Sequence, residues 1–187
     1  GKQPMASHND RYIIAYNGEV YNFFELKKEL DAQFDIQWRG HSDTEIILEA
    51  ISHWGLEVSL QKFNGMFAFA LWDTQESKLY LARDRFGEKP LYYYWDKKQF
   101  FFASEITCFE QLPYLNLSVD QCAISKQLQT GYIPAPYSIY TSISKLVPGF
   151  YLEFSPSGNI VNRQYWSSRS AILNAKSNVY QSTEEGL

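Results

Sequence analysis

The order of patterns in this sequence predicts an α+β fold in which two sheets lie between helical layers. Three observations carry that expectation. Helical stripes come early, at residues 23–32 and 43–54. Short aromatic strands in antiparallel hairpins succeed them from Met66. One of those strands, MFAFALW, is apolar on both faces, as expected for a central strand covered from both sides. Composition agrees: 187 residues with 45% hydrophobic and 20% charged side chains suffice for one domain with a real core, and 17% aromatics favour sheet.

RYIIAYNG (Arg11–Gly18) alternates and reads as a strand ending at a tight turn. Asn22 and Glu25 have capping-box spacing for a helix that ends near Ala32, and FDIQWRG (Phe34–Gly40) reads as a short strand. Ser42-Asp43-Thr44-Glu45 is a second capping box; behind it Ile46, Ile47, Ala50, Ile51 and Trp54 form one stripe, stopped by Gly55. Residues 58–65 hold one or two helical turns. MFAFALWD and KLYLARD form a hairpin around Thr74–Ser77, and LYYYW and QFFFAS form another around Asp96-Lys97-Lys98. A short helix is expected at Glu105–Glu110, before Pro113, and a capped helix at Ser118–Gln129, ending at Gly131. YIPAPYSIYTSISKLVPG, with three prolines, reads as loop. GFYLEFS and NIVNRQYW make a last hairpin around Pro156-Ser157-Gly158, and the segment after Trp166 reads as a tail or linker.

The net charge of −4 and the lack of any Lys/Arg run argue against a nucleic-acid surface. No apolar stretch reaches membrane-spanning length, and no signal peptide is visible. Two cysteines make no disulfide framework, and with three scattered histidines they show no metal-ligand spacing; a cytoplasmic setting is the default.

Four segments could carry chemistry. At a strand end, the Gly18 N–H and the Asn17 carboxamide could form an oxyanion hole, although Asn-Gly alone is more often only a turn. Asp43 opens a helix, where it either complements the dipole or holds a ligand ammonium. The charges of Arg83-Asp84-Arg85 and Glu88-Lys89 favour a structural network over an anion site. Cys108 and Cys122 are expected to be small buried hydrophobes rather than nucleophiles.

The ordered segments QPM, YNGEVYNFFELKKEL, HSDTEIILEA, NGMFAFALWD, LARDRFGEKPLYYYW, FFASEI, GYIPAPYSIY and LVPGFYLEF closely resemble the glutaminase domain of glutamine-dependent asparagine synthetases, a class II glutamine amidotransferase. The resemblance covers residues 1–166, leaving 167–187 as a linker toward a synthetase domain. It implies an N-terminal-nucleophile αββα sandwich of two antiparallel sheets, here lacking the first strand or strands. It implies that an N-terminal Cys attacks the carboxamide of glutamine, releasing ammonia and then glutamate. Asn17 and Gly18 would stabilise the oxyanion, while Glu19 and Asp43 would orient the amino-acid end of glutamine. The family's carboxylate-binding arginine precedes this segment, so Arg11 is not assigned that role. The nucleophile precedes it too, so the 187 residues alone are expected to be inactive. No metal or cofactor is expected in this domain; ATP and magnesium would belong to the synthetase domain, whose Ser-Gly-Gly-Leu-Asp-Ser loop is not in this sequence. The partners implied are glutamine and that domain, with a homodimer left open. Two alternatives stand beside this reading: an amidotransferase acting on a sugar acid, and a non-catalytic module of the same fold.

Overall fold

The computed structural model describes residues 2–177. In chain order the elements are β1 (Met5–Ala6), β2 (Tyr12–Val20), α1 (Phe23–Gln33), α2 (Asp43–Trp54), α3 (Leu56–Lys62), β3 (Gly65–Asp73), β4 (Lys78–Arg83), β5 (Tyr92–Trp95) and β6 (Phe100–Ala103). They continue with α4 (Thr107–Glu110), α5 (Gln121–Thr130), β7 (Ile143–Lys145), β8 (Phe150–Phe154), β9 (Ile160–Gln164) and α6 (Ser168–Ser177).

Two antiparallel sheets result, a six-stranded one in the order β1-β2-β3-β4-β8-β9 and a three-stranded one in the order β6-β5-β7. Strand alternation decides which side chains meet which layer. Tyr12, Ile14, Tyr16 and Val20 of β2 and Phe67, Phe69 and Leu71 of β3 face the helices, packing on Leu26 and Leu30 of α1, Ile47 and Ile51 of α2, and Leu60 of α3. The opposite face carries Ala68, Ala70, Leu81 and Leu152, which meet Leu91, Leu146 and Tyr93 from the small sheet and its flanks. β3 is thus covered on both faces, which explains its unbroken apolar run. Phe154 of β8 stacks on Phe100 of β6 with centroids 4.4 Å apart, closing one end of the space between the sheets. The outer side of the small sheet packs on Phe109 of α4.

The three predicted hairpins form in the expected order. The turn after β3 is held by Asp73, whose Oδ1 accepts from Gln75 N and Glu76 N. Arg11 reaches the same carboxylate with Nη2 at 2.8 Å from Oδ2. Gly55 stops α2 at φ 84°, and Asp120 caps α5 by accepting from Cys122 N and Ala123 N.

Several local expectations are corrected. Phe34–Gly40 forms no strand: its apolar residues pack on the α1–α2 cluster, and it meets the edge strand β1 through a side chain, Arg39 Nη2 donating to Ala6 O. The amides of Arg39 and Gly40 instead donate to the buried Glu45 carboxylate, which also meets His8 Nε2 at 3.0 Å. Glu45 therefore serves only half of its capping box; Ser42 Oγ accepts from Glu45 N, but the carboxylate turns to the loop. Asn22 precedes α1 without capping it, because its carboxamide ties Lys62 O to Asn64 N at the entry to β3. Within the proline-rich stretch read as loop, residues 143–145 form β7 and pair with Tyr92–Tyr94. Residues 168–177 after Trp166 are helical; the rest of the expected linker lies outside the described residues.

Candidate functional site

The small sheet is three strands against six, and it leaves the inner face of β2 uncovered: Ala15, Asn17 and Glu19 are exposed there. Small side chains at Ala15, Ala68 and Ala70 face Leu91, Phe102 and Ser104 across a gap and leave a cavity of about 210 Å³. Asn17 projects into this cavity, with Nδ2 3.4 Å from Ser104 Oγ on the far wall.

Gly18 is placed by a close approach of two strands. A Cβ at this position would lie 2.2 Å from Met66 O and 2.6 Å from Phe67 Cα, both main-chain atoms of β3, so only glycine fits. The direction of its N–H comes from alternation. Tyr21 N donates to Asn64 O, so odd residues of this stretch point their amides toward β3. Even residues point the other way: Tyr16 N donates to Gln3 Oε1 and Val20 N donates to Asp43 Oδ2 at 3.1 Å. The Gly18 N–H lies between them on the outer edge of β2, beyond the end of β1.

Asp43 stands on that same edge. As the first residue of α2 it keeps Oδ1 for Thr44 N, while Oδ2 accepts from Val20 N and from Tyr16 Oη at 3.0 Å. Burial pushes the Tyr16 hydroxyl well above its ordinary value, and the neighbouring Asp43 charge adds to this, so Tyr16 remains a neutral donor. The arrangement gathers Asn17, the Gly18 amide and Asp43 at one end of β2. They do not share one wall: Asn17 lines the cavity, whereas Gly18, Glu19 and Asp43 sit outside its lining. Glu19 is exposed, and with Glu88 and Asp84 it helps raise the Tyr21 hydroxyl, after the effect of burial.

The charged run after β4 is a structural network, as expected. The Asp84 carboxylate accepts five main-chain N–H groups, from Phe67, Phe86, Gly87, Glu88 and Lys89. The Arg83 guanidinium donates to the carbonyls of Lys89, Leu146 and Gly87, and burial lowers its pKa. Cys108 and Cys122 are both exposed, against the expectation of burial. On the single turn of α4 it is Phe109 that points inward, and in α5 it is Ala123. Neither cysteine lines the cavity beside Asn17.

Gln3, Tyr16 and Ser104 join the site although no local pattern marks them. Gln3 and Ser104 lie inside the QPM and FFASEI segments, and only the fold brings them to Asn17. Among the described residues no helix is long and apolar enough to cross a membrane.

The profile of the glutamine amidotransferase domain family matches residues 1–166. Asparagine synthetase [glutamine-hydrolyzing] 1 of Bacillus subtilis is 34% identical over 168 residues, 90% of this chain and 26% of that protein. Asparagine synthetase [glutamine-hydrolyzing] 3 of the same organism is 38% identical, over 91% of this chain and 28% of that protein. A putative asparagine synthetase [glutamine-hydrolyzing] 2 of Methanocaldococcus jannaschii is 35% identical, over 82% and 29%. The chain thus spans less than a third of the length of these relatives. Among solved structures, glutamine phosphoribosylpyrophosphate amidotransferase of Bacillus subtilis superposes with a TM-score of 0.64 at 22% identity, covering 88% of this chain and 32% of that one, a likeness of fold. With two stacked antiparallel sheets and a family match across nearly all its described length, this chain belongs to the glutamine amidotransferase domain family.

Proposed function

We propose that this domain is the glutaminase part of a longer glutamine-dependent asparagine synthetase. It hydrolyses glutamine to glutamate and ammonia, and the ammonia amidates aspartate elsewhere in that protein. One observation carries the reading: the Asn17 carboxamide enters a cavity suited to a ligand of amino-acid size, and the Gly18 N–H stands beside it on an edge shared with Asp43.

The chemistry is set by those groups. A cysteine thiolate, supplied from outside these residues, adds to the side-chain carboxamide carbon of glutamine. The carbonyl electron pair moves onto oxygen, where Gly18 N–H and Asn17 Nδ2 donate to it. The α-amino group of that cysteine, having taken the thiol proton, returns it to the nitrogen; collapse expels ammonia and leaves a thioester, and water then releases glutamate and restores the thiol. Asp43 and Glu19 hold the ammonium of the substrate. ATP and magnesium act in the synthetase domain, and residues 167–187 lead toward it. The protein works in the cytoplasm, and a homodimer is compatible with this role.

The test is Asn17→Ala in the longer protein, assayed for glutamate release. Loss of one oxyanion donor lowers kcat about 100- to 1,000-fold. Parental turnover in this variant overturns the assignment.

A further inference from the structure

β1 is two residues long, yet side chains carry its pairing with β2 further. Met5 opposes Ile14 and Ala6 opposes Ile13. The ladder ends at Met5, and residues 3 and 4 leave it as a bend, so no further main-chain pair forms on this edge. Gln3 returns to β2 with its side chain, at Tyr16. There the Gln3 carboxamide replaces a main-chain pair: Oε1 accepts from Tyr16 N at 2.6 Å and Nε2 donates to Tyr16 O at 2.9 Å. A primary amide offers the same acceptor and donor as a peptide group, so it closes the two-bond ring that a third β1 pair would have made.

The pairing then stops. Along the same edge Tyr16 is held by Gln3 and Val20 by Asp43, and the Gly18 N–H lies between these two clamps. Resting on the glutaminase reading, we propose that Gln3 is a positioning residue for the oxyanion hole. It fixes the peptide two residues before Gly18, and it ends the ladder with a side chain, which leaves the Gly18 N–H open to ligand. It acts through β2 and not on the reacting atoms. Gln3 also lines the cavity that Asn17 enters, so one residue bounds the space and sets the register of both donors.

Gln3→Glu in the longer protein tests this, because the introduced carboxyl carries its own switch. Protonated, it offers one acceptor and one donor, as the amide does. Ionised, it has no donor and sets a negative oxygen against Tyr16 C=O. The expected result is near-parental kcat at the acid end of the profile. Relative to the parent, kcat then falls about tenfold or more as the carboxyl ionises, with KM for glutamine within about twofold. Gln3→Met, similar in volume but without donor or acceptor, is expected to be low in kcat at every pH. Asn17→Ala, measured alongside, separates the two layers. If Asn17→Ala keeps parental turnover, the glutaminase reading falls and takes this role with it. If Asn17→Ala is impaired while both Gln3 variants keep the parental kcat and pH profile, only the positioning role is overturned. A pH-independent loss in Gln3→Glu that merely tracks a lowered Tm makes Gln3 a structural residue and also overturns it.

Discussion

Replacing Asp84 by alanine should unfold this domain more readily than almost any other single change. Asp84 is 1% exposed and accepts five main-chain N–H groups with one carboxylate. In Asp84→Ala the Phe67 N–H loses its partner inside β3, where water has no access. Leaving such a donor bare costs about 1–3 kcal/mol. The other four donors belong to residues 86–89, a half-exposed loop that water can enter, and each loses about 0.5 kcal/mol. The total expected is about 3–5 kcal/mol, a large share of the roughly 5–15 kcal/mol that stabilises a domain. Asp84→Asn should fall between parent and Asp84→Ala, because it keeps the volume but turns one acceptor into a donor facing N–H groups. Urea unfolding followed by tryptophan fluorescence reads this directly, since Trp166 packs edge-on against Phe86 of the same loop at 5.1 Å. A loss below about 1 kcal/mol in Asp84→Ala, with unchanged urea dependence, would refute the claim that this carboxylate organises the loop.

Acid should weaken the fold through Glu45 and Asp73. Burial alone would raise Glu45, but N–H donors from Arg39 and Gly40 and the contact with His8 outweigh it and hold Glu45 below its ordinary 4.5. Burial likewise opposes, and the Arg11 guanidinium with the Glu76 and Gln75 amides overcomes it, so Asp73 lies below 3.8. A carboxylate depressed in the folded state contributes stability above its unfolded value and loses it as pH falls through the folded one. The urea midpoint should therefore be level from neutral pH down to about 5 and drop below that, and Glu45→Gln should flatten the drop; a midpoint unchanged at about pH 3 would exclude this linkage. Gly18→Ala should cost about 3 kcal/mol or more, because its Cβ would meet main-chain atoms of β3 that cannot move aside without parting the strands. Thermal unfolding at the parental temperature would show that β2 and β3 are less closely apposed than described.

Much of this architecture is legible residue by residue. The hairpin around Thr74–Ser77, the Gly55 stop and the two-sided burial of β3 come from periodicity and turn chemistry, which act between near neighbours. β7 is hidden because three residues between prolines carry too little pattern to mark a strand, and only β5 makes them one. Phe34–Gly40 shows the reverse: alternation is present, but its apolar residues pack on helices and the amides of Arg39 and Gly40 go to the Glu45 carboxylate instead of a neighbouring strand. Asn22 and Glu45 are capping residues by spacing whose side chains find better partners across the fold.

Local sterics and a few bonded neighbours are enough to set where most helices and strands lie, but the turn expected at Asn17-Gly18 is absent, because pairing with β3 carries β2 on to Val20. No such short-range rule brings the Gln3 side chain to Tyr16, turns Ser104 toward Asn17 or leaves both cysteines outside. Those outcomes depend on strand register and on the packing of one sheet against another. Each is settled by contacts between residues far apart in the chain, which no local pattern encodes.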